Sequence, residues 1–333
     1  MLMIGSKGKT RSLLQSTMFQ SQSEEMILAD YKRLLTELQL DQIQYAGAVF
    51  IDEKCQVDGE YRKKIEKYFN TEILRNLNFG DQAETARKIN KWMENRTSSR
   101  IHRMFSPSHF NTSTNLVLAS ALHFKGNWQV GFDPQKTKSK DFFVSSHEVV
   151  EVKMMSMSSV FSYARLDKSF DCSMLEIPLS KGRLVMQILL PNKKDGIHQL
   201  EKKVSDKNVL STFDKEKKWK KLTIYLPKLK TEVSISMSKY LKALGLSDLF
   251  SSDSDFSGIS SSLSLSRVDQ RISLEIGEEG DNVVGGTLDS HNPDEAEFLA
   301  DHPFLFYIRD RQTGASILQG KISEPIITSS VID

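Results

Sequence analysis

Apolar residues recur every three or four positions through the first hundred residues, then give way to short, nearly continuous apolar runs. In "SEEMILADYKRLLTELQL" the residues Met26, Ile27, Tyr31, Leu34, Leu35 and Leu38 keep helical spacing behind Ser23, whose hydroxyl can accept from the free amides of a first turn, so the pattern predicts a helix. "DQAETARKINKWMENRT" predicts another: Asp81 and Glu84 stand at capping-box spacing, and Ala86, Ile89 and Met93 repeat along one face. "YAGAVFID" and "NLVLASALHF" are short, apolar and rich in branched residues, as buried strands are.

Beyond residue 140 the runs "SMLEIPL", "RLVMQILLP" and "KLTIYLPKL" are bounded by proline, glycine or charged turns and read as strands. One helix, "SMSKYLKALG", is expected among them, ending on Gly245. The serine-rich residues 251–266 include Phe256, Ile259 and Leu263, so they are expected to form a surface connection rather than a linker between domains. A helix-rich first third and a strand-rich remainder predict an α+β fold in a single domain over residues 1–333.

Composition narrows function mostly by exclusion. A net charge of +2 on 333 residues suggests neither a nucleic-acid nor a membrane partner, and no apolar run approaches the roughly 18 residues of a membrane span. Cys55 and Cys172 are far apart without metal-ligand spacing, so two unpaired thiols and no metal are expected. "GSKGKT" lacks the strand and first glycine of a phosphate loop, and no GxSxG elbow or HExxH occurs, so neither a cofactor nor an enzyme active site is expected. His123, alone on a predicted strand, reads as a packed side chain. "KEKKWKK", residues 215–221, could hold a polyanion with Trp219 stacked among lysines, but so short a run is more often a solvated face. The sequons at Asn95 and Asn111 matter only in an exported protein.

A string of motifs in fixed order resembles the serpin family: "INKWMENRT", "NLVLASALHFKGNWQVGFDPQKTKSKDF", "VKMMSM", "LEIPL", "ILLPNKKDGIHQLEKKV", "IYLPKLK", "LKALGLSDLFSSDSDFSGIS", "EIGEEG" and "FLADHPFLFYIRDRQTGASILQGKISEP". The resemblance implies a serpin fold with a large mixed or antiparallel sheet A, further sheets and about eight helices. It implies a protease inhibitor that offers a reactive loop, here about residues 278–298, as bait to a serine or cysteine protease. Cleavage would let the loop enter sheet A as a new strand, so the native state is a kinetic trap. Family habit implies an extracellular protein, although this chain shows no leader, and it implies that the elements preceding the middle of helix B are missing. Their loss would expose apolar surface that self-association could cover.

The same resemblance assigns site residues and marks departures. The hinge is Glu278, Glu279, Gly280, Asp281, Asn282, Val283, Val284, Gly285, Gly286 and Thr287, where the family pattern is threonine followed by alanines. Alternate side chains of an inserting strand enter the core, and burying an unpaired Asp281 would cost several kcal/mol or force it to take a proton. Phe298 lies 18 positions beyond Gly280, about five fewer than the resemblance leads one to expect. Counting back from "FLADHPF" puts the scissile bond near Asp289 or Ser290; counting forward from Gly280 puts it near Asp294 and Glu295. The shutter positions are Ser120 and Gln270, where the family pairs asparagine with histidine, and Trp128 falls at the breach. A charged hinge and a short loop leave a second reading open: a serpin-fold protein that no longer traps proteases and serves as a binding module or a simple substrate.

Overall fold

The structure is a computed structural model that describes residues 1–19, 22–40, 43–180, 182–261, 263–283, 296–325 and 328–332 of the 333-residue chain. The chain divides into two compact units, one from residues 1–124, 232–273 and 329–333, the other from 125–231 and 274–328. Eight α-helices occur among the described residues, with three sheets, so the α+β class holds. None of these helices is long and apolar enough to cross a membrane.

The first unit holds α1 (Leu2–Gly5), α2 (Gly8–Phe19), α3 (Glu24–Leu40), β1 (Gln44–Asp52), α4 (Gly59–Phe69), β2 (Ile73–Leu77), α5 (Gln82–Arg96) and nearly all of β3 (Leu116–Lys125). The predicted caps form. The Ser23 hydroxyl accepts from the Met26 amide at 3.3 Å, and an Asp81 carboxylate oxygen accepts from the Glu84 amide at 3.2 Å. The box at α5 is not reciprocal, however, because the Glu84 side chain turns to Arg87 at 2.6 and 2.7 Å. β1 and β3 pair antiparallel, with Ala46 opposite Ala121 and Ala48 opposite Ala119. Four small side chains on one face let α5 lie close, so Ile89 and Met93 join Phe50, Phe105 and Phe110 in one buried cluster. Burying an Ile or Met of this kind stabilises by about 1.5–3 kcal/mol.

Later segments complete that sheet, whose order is β16, β10, β11, β3, β1, β2, with β10 at Leu229–Ser236, β11 at Leu265–Ile276 and β16 at Thr328–Ile332. The helix expected at 236–245 is shorter than predicted. Regular α8 covers Met237–Leu241, and the turns after it widen as far as Leu246, with Gly245 at φ 85°, a conformation that favours glycine. Phe256, Ile259 and Leu263 are buried, so the serine-rich connection is pinned along its length.

The second unit contains β4 (Trp128–Gly131), β5 (Lys138–Phe143), β6 (Val149–Arg165), β7 (Cys172–Pro178), β8 (Leu184–Pro191), α6 (Ile197–Asp206), α7 (Val209–Glu216), β9 (Lys218–Pro227), β12 (Gly280–Val283), β13 (Glu297–Leu299), β14 (Phe304–Asp310) and β15 (Ser316–Ile322). Its large sheet runs β13, β9, β6, β7, β8, β14, β15, with β5 beside β6. Leu200, Val209 and Phe213 of α6 and α7 pack with Met174, Leu189 and Leu305 of the sheet. Both cysteines are free, and burial pushes the Cys172 thiol up to about 12, which leaves it unreactive at neutral pH.

Candidate functional site

Two strands far apart in sequence, β3 and β11, are neighbours in the six-stranded sheet. At one end the Asn115 amide donates to the Ser266 hydroxyl at 3.1 Å, while the Asn115 side-chain oxygen accepts from the Ser264 amide at 3.1 Å. Nearer the other end, His123 Nδ1 lies 3.0 Å from the Ser273 hydroxyl, both side chains almost sealed from water at 4 % and 1 % exposure. At the other end the Gly126 amide donates to the Glu275 carbonyl at 2.8 Å. Residue numbers rise together along the seam, so the pair is parallel.

His123 is therefore packed, as the sequence suggests, but it also supplies a polar link that the sequence did not reveal. Ser120 and Gln270 lie on β3 and β11, both half-buried, and no side-chain hydrogen bond joins them among the described residues. A side-chain link across the seam falls instead at His123 and Ser273.

The segment that the serpin resemblance assigns as the hinge leaves β11 and docks on β4. Trp128, fully buried, is the post: its indole Nε1 donates to the Gly277 carbonyl at 2.7 Å, its amide donates to the Glu279 carbonyl at 2.9 Å, and Phe132 packs edge-on against its ring at 5.7 Å. β12 then runs parallel to β4, with Gly280 opposite Trp128 and Asn282 opposite Val130. Glycine is required here by close approach: a Cβ on Gly280 would lie 2.3 Å from the Gly131 amide nitrogen, and one on Gly131 would lie 2.9 Å from the Glu278 carbonyl.

Three carboxylates fasten this segment. Glu278 accepts from Lys228 at 2.6 Å and from the Thr137 hydroxyl at 3.0 Å, and Glu279 meets Lys125 at 3.0 Å. Burial pushes both glutamates up, but the bonds from Lys228 to Glu278 and from Lys125 to Glu279, with backbone help, outweigh it and hold both below the usual carboxylate range. Asp281, exposed, accepts from Asn127 Nδ2 at 2.8 Å and from the Ser180 hydroxyl.

Val284, Gly285, Gly286 and Thr287 of the hinge and all four scissile-bond candidates, Asp289, Ser290, Asp294 and Glu295, lie outside the described residues. Past them the loop is anchored again. β13 runs parallel to Thr223–Tyr225 of β9, and buried Phe298 meets Tyr163 at 6.4 Å, nearly perpendicular. The lysine run opens β9: Lys217 is taken up by Asp214 at 3.0 Å, and Trp219 is 68 % exposed.

Sequence reasoning did not single out Asn127, Gly131, Ser180 or Lys228. Gly131, three residues past Trp128 in "NWQVG", was the one with a visible signal, because a glycine inside a strand often marks close backbone approach.

A profile described as "Serpin (serine protease inhibitor)" matches residues 1–325. The chain is 30% identical to ovalbumin-related protein Y of Gallus gallus over 98% of its own length and 90% of the relative's. It is 31% identical to serpin B4 of Homo sapiens, covering 89% of this chain and 78% of that one. Among solved structures, uncleaved ovalbumin superposes with a TM-score of 0.90 at 29% identity, over 97% of this chain and 89% of that chain.

Proposed function

The chain belongs to the serpin family and has its fold, and from that premise we propose that it is a protease inhibitor rather than an enzyme, a suicide substrate for serine or cysteine endopeptidases. One observation carries this proposal: the two strands that flank the insertion slot, β3 and β11, are closed on each other as a parallel pair. A loop that turns back after Ile276 runs antiparallel to both. Its entry would replace one parallel interface by two antiparallel ones, which are slightly more stable per residue, and would satisfy a strand's worth of backbone groups. The uninserted state thus stores free energy that cleavage can release.

Residues 1–333 are taken as one serpin domain, with bait between Glu278 and Phe298. A protease that attacks near Asp289 or Ser290, or near Asp294 and Glu295, would be carried along as its acyl-enzyme while the hinge enters the slot. Extracellular proteases are the expected targets by family resemblance, and the compartment is testable by fractionating the native tissue. Incubation with a panel of serine and cysteine proteases checks the proposal. A complex that survives boiling in SDS supports trapping, and mass spectrometry of the released C-terminal peptide assigns the bond.

Asp281 favours a second reading. Its carboxylate would have to leave Asn127 and Ser180 and enter the sheet, which suits a protein that is cut without trapping, as a simple substrate or a binding module. Loop cleavage with no SDS-stable band for any protease of the panel would select that reading.

A further inference from the structure

Asn127 and Ser180 come from separate segments: Asn127 between β3 and β4, Ser180 in the turn that follows β7. Their backbones are joined, since the Ser180 amide donates to the Asn127 carbonyl at 2.8 Å, and the turn is pinned by a bridge between Leu179 and Trp128. Two side-chain donors are thereby fixed side by side before any ligand arrives. Asp281 sits one residue beyond the contact of Gly280 with Gly131, where a side chain cannot fit. It is the first hinge residue past that contact, and both donors take its carboxylate. Asn127 stands between Gly126 and Trp128 in "FKGNW".

We propose that Asn127 and Ser180 are positioning residues that clamp the Asp281 carboxylate and hold the hinge on β4, so that release of this clamp sets how fast the loop can enter the β3–β11 seam. The clamp itself is a property of the intact molecule. Its effect on loop entry rests on the inhibitor reading. A hydrogen bond to a carboxylate is among the stronger kinds, yet it holds only the uninserted state, because the donors stay beside β4 and in the turn after β7 while the residue must travel with the loop.

Hydrogen exchange on the uncleaved full chain tests the clamp without any protease. In the double variant Asn127→Ala with Ser180→Ala, amides of residues 280–283 should exchange at least about tenfold faster, as expected for loss of both hydrogen bonds to the carboxylate, while seam amides of β3 and β11 keep wild-type rates. Asp281→Ala should match the double variant. Asp281→Asn, whose one amide oxygen can accept from Asn127 while its NH2 donates to the Ser180 hydroxyl, should restore much of the protection, and Asp281→Leu, of similar size but with no acceptor, should not, which separates the clamp from a merely space-filling role. Unchanged exchange in the double variant overturns the clamp, as does equal loosening of hinge and seam, which would mean general destabilisation. The second stage follows gain of heat resistance after the loop is nicked, and the double variant should gain it faster. If hinge exchange accelerates but no nicked form ever gains heat resistance, the clamp stands and the inhibitor reading fails. If nicked wild type gains heat resistance and the double variant gains it no faster, the clamp does not set loop entry.

Discussion

Between β3 and β11 the polar side-chain link of His123 with Ser273 is sealed from water. A few residues further on, where the hinge lies along β4, the links made by Glu278, Glu279 and Asp281 all depend on a carboxylate, and their lysine partners are about half exposed. The seam is thus held by packing and a dry hydrogen bond, which salt does not screen, and the hinge by charge at the water boundary, which salt does. The proposed inhibitor role calls for both properties. The slot must stay shut until the loop arrives, while the hinge must be able to let go.

The widest break in that contrast comes from Trp128, the residue that joins a packed core to the hinge. Trp128→Ala should cost about 3–5 kcal/mol in urea unfolding and loosen residues 277–280 with it. Ser273→Ala confines the damage to the seam. Loss of a buried hydrogen-bonding group should cost about 1–3 kcal/mol, and the loss should be the same at low and high salt.

Acid sharpens the comparison from the hinge side. Glu278 and Glu279 are held below the ordinary glutamate value of about 4.3, so their contribution is full above that pH and is lost as pH falls through their lowered folded values. Glu278→Gln should therefore lower stability by about 1 kcal/mol at pH 7, and its difference from wild type should shrink below about pH 4, read from paired melting curves. Smallest of all is Glu279→Gln. Both Glu279 and Lys125 are well exposed, so the change should stay under about 0.5 kcal/mol and vanish in high salt.

Much of the scaffold was legible in one dimension. α3 and α5 announced themselves by apolar spacing behind Ser23 and Asp81, and β1, β3 and β8 by apolar runs that neither helix periodicity nor turn residues interrupt. β2 left little trace, since "ILRNL" is a short parallel edge with two exposed residues. β6 was obscured differently: over 17 residues it pairs with β5, then β9, then β7, and its faces change from exposed to buried along the way.

The site was harder to read because its bonds join residues distant in the chain. Trp128 and Glu278 were visible as serpin motif positions, but nothing near Ser180 in "IPLSKG" signals that Asp281 will reach it from 101 residues away. Asp281 itself was legible as a cost of insertion. That the same carboxylate is anchored in the uninserted state emerges only from the geometry of β4 and the turn after β7.

Melting of the intact protein against the same protein nicked within residues 284–295 tests the stored-strain claim most directly. If the freed segment enters between β3 and β11, on the order of ten new backbone hydrogen bonds at about 1 kcal/mol each should raise the melting temperature by on the order of 20 °C. Equal melting temperatures, with the nicked ends still open to further proteolysis, would contradict the account.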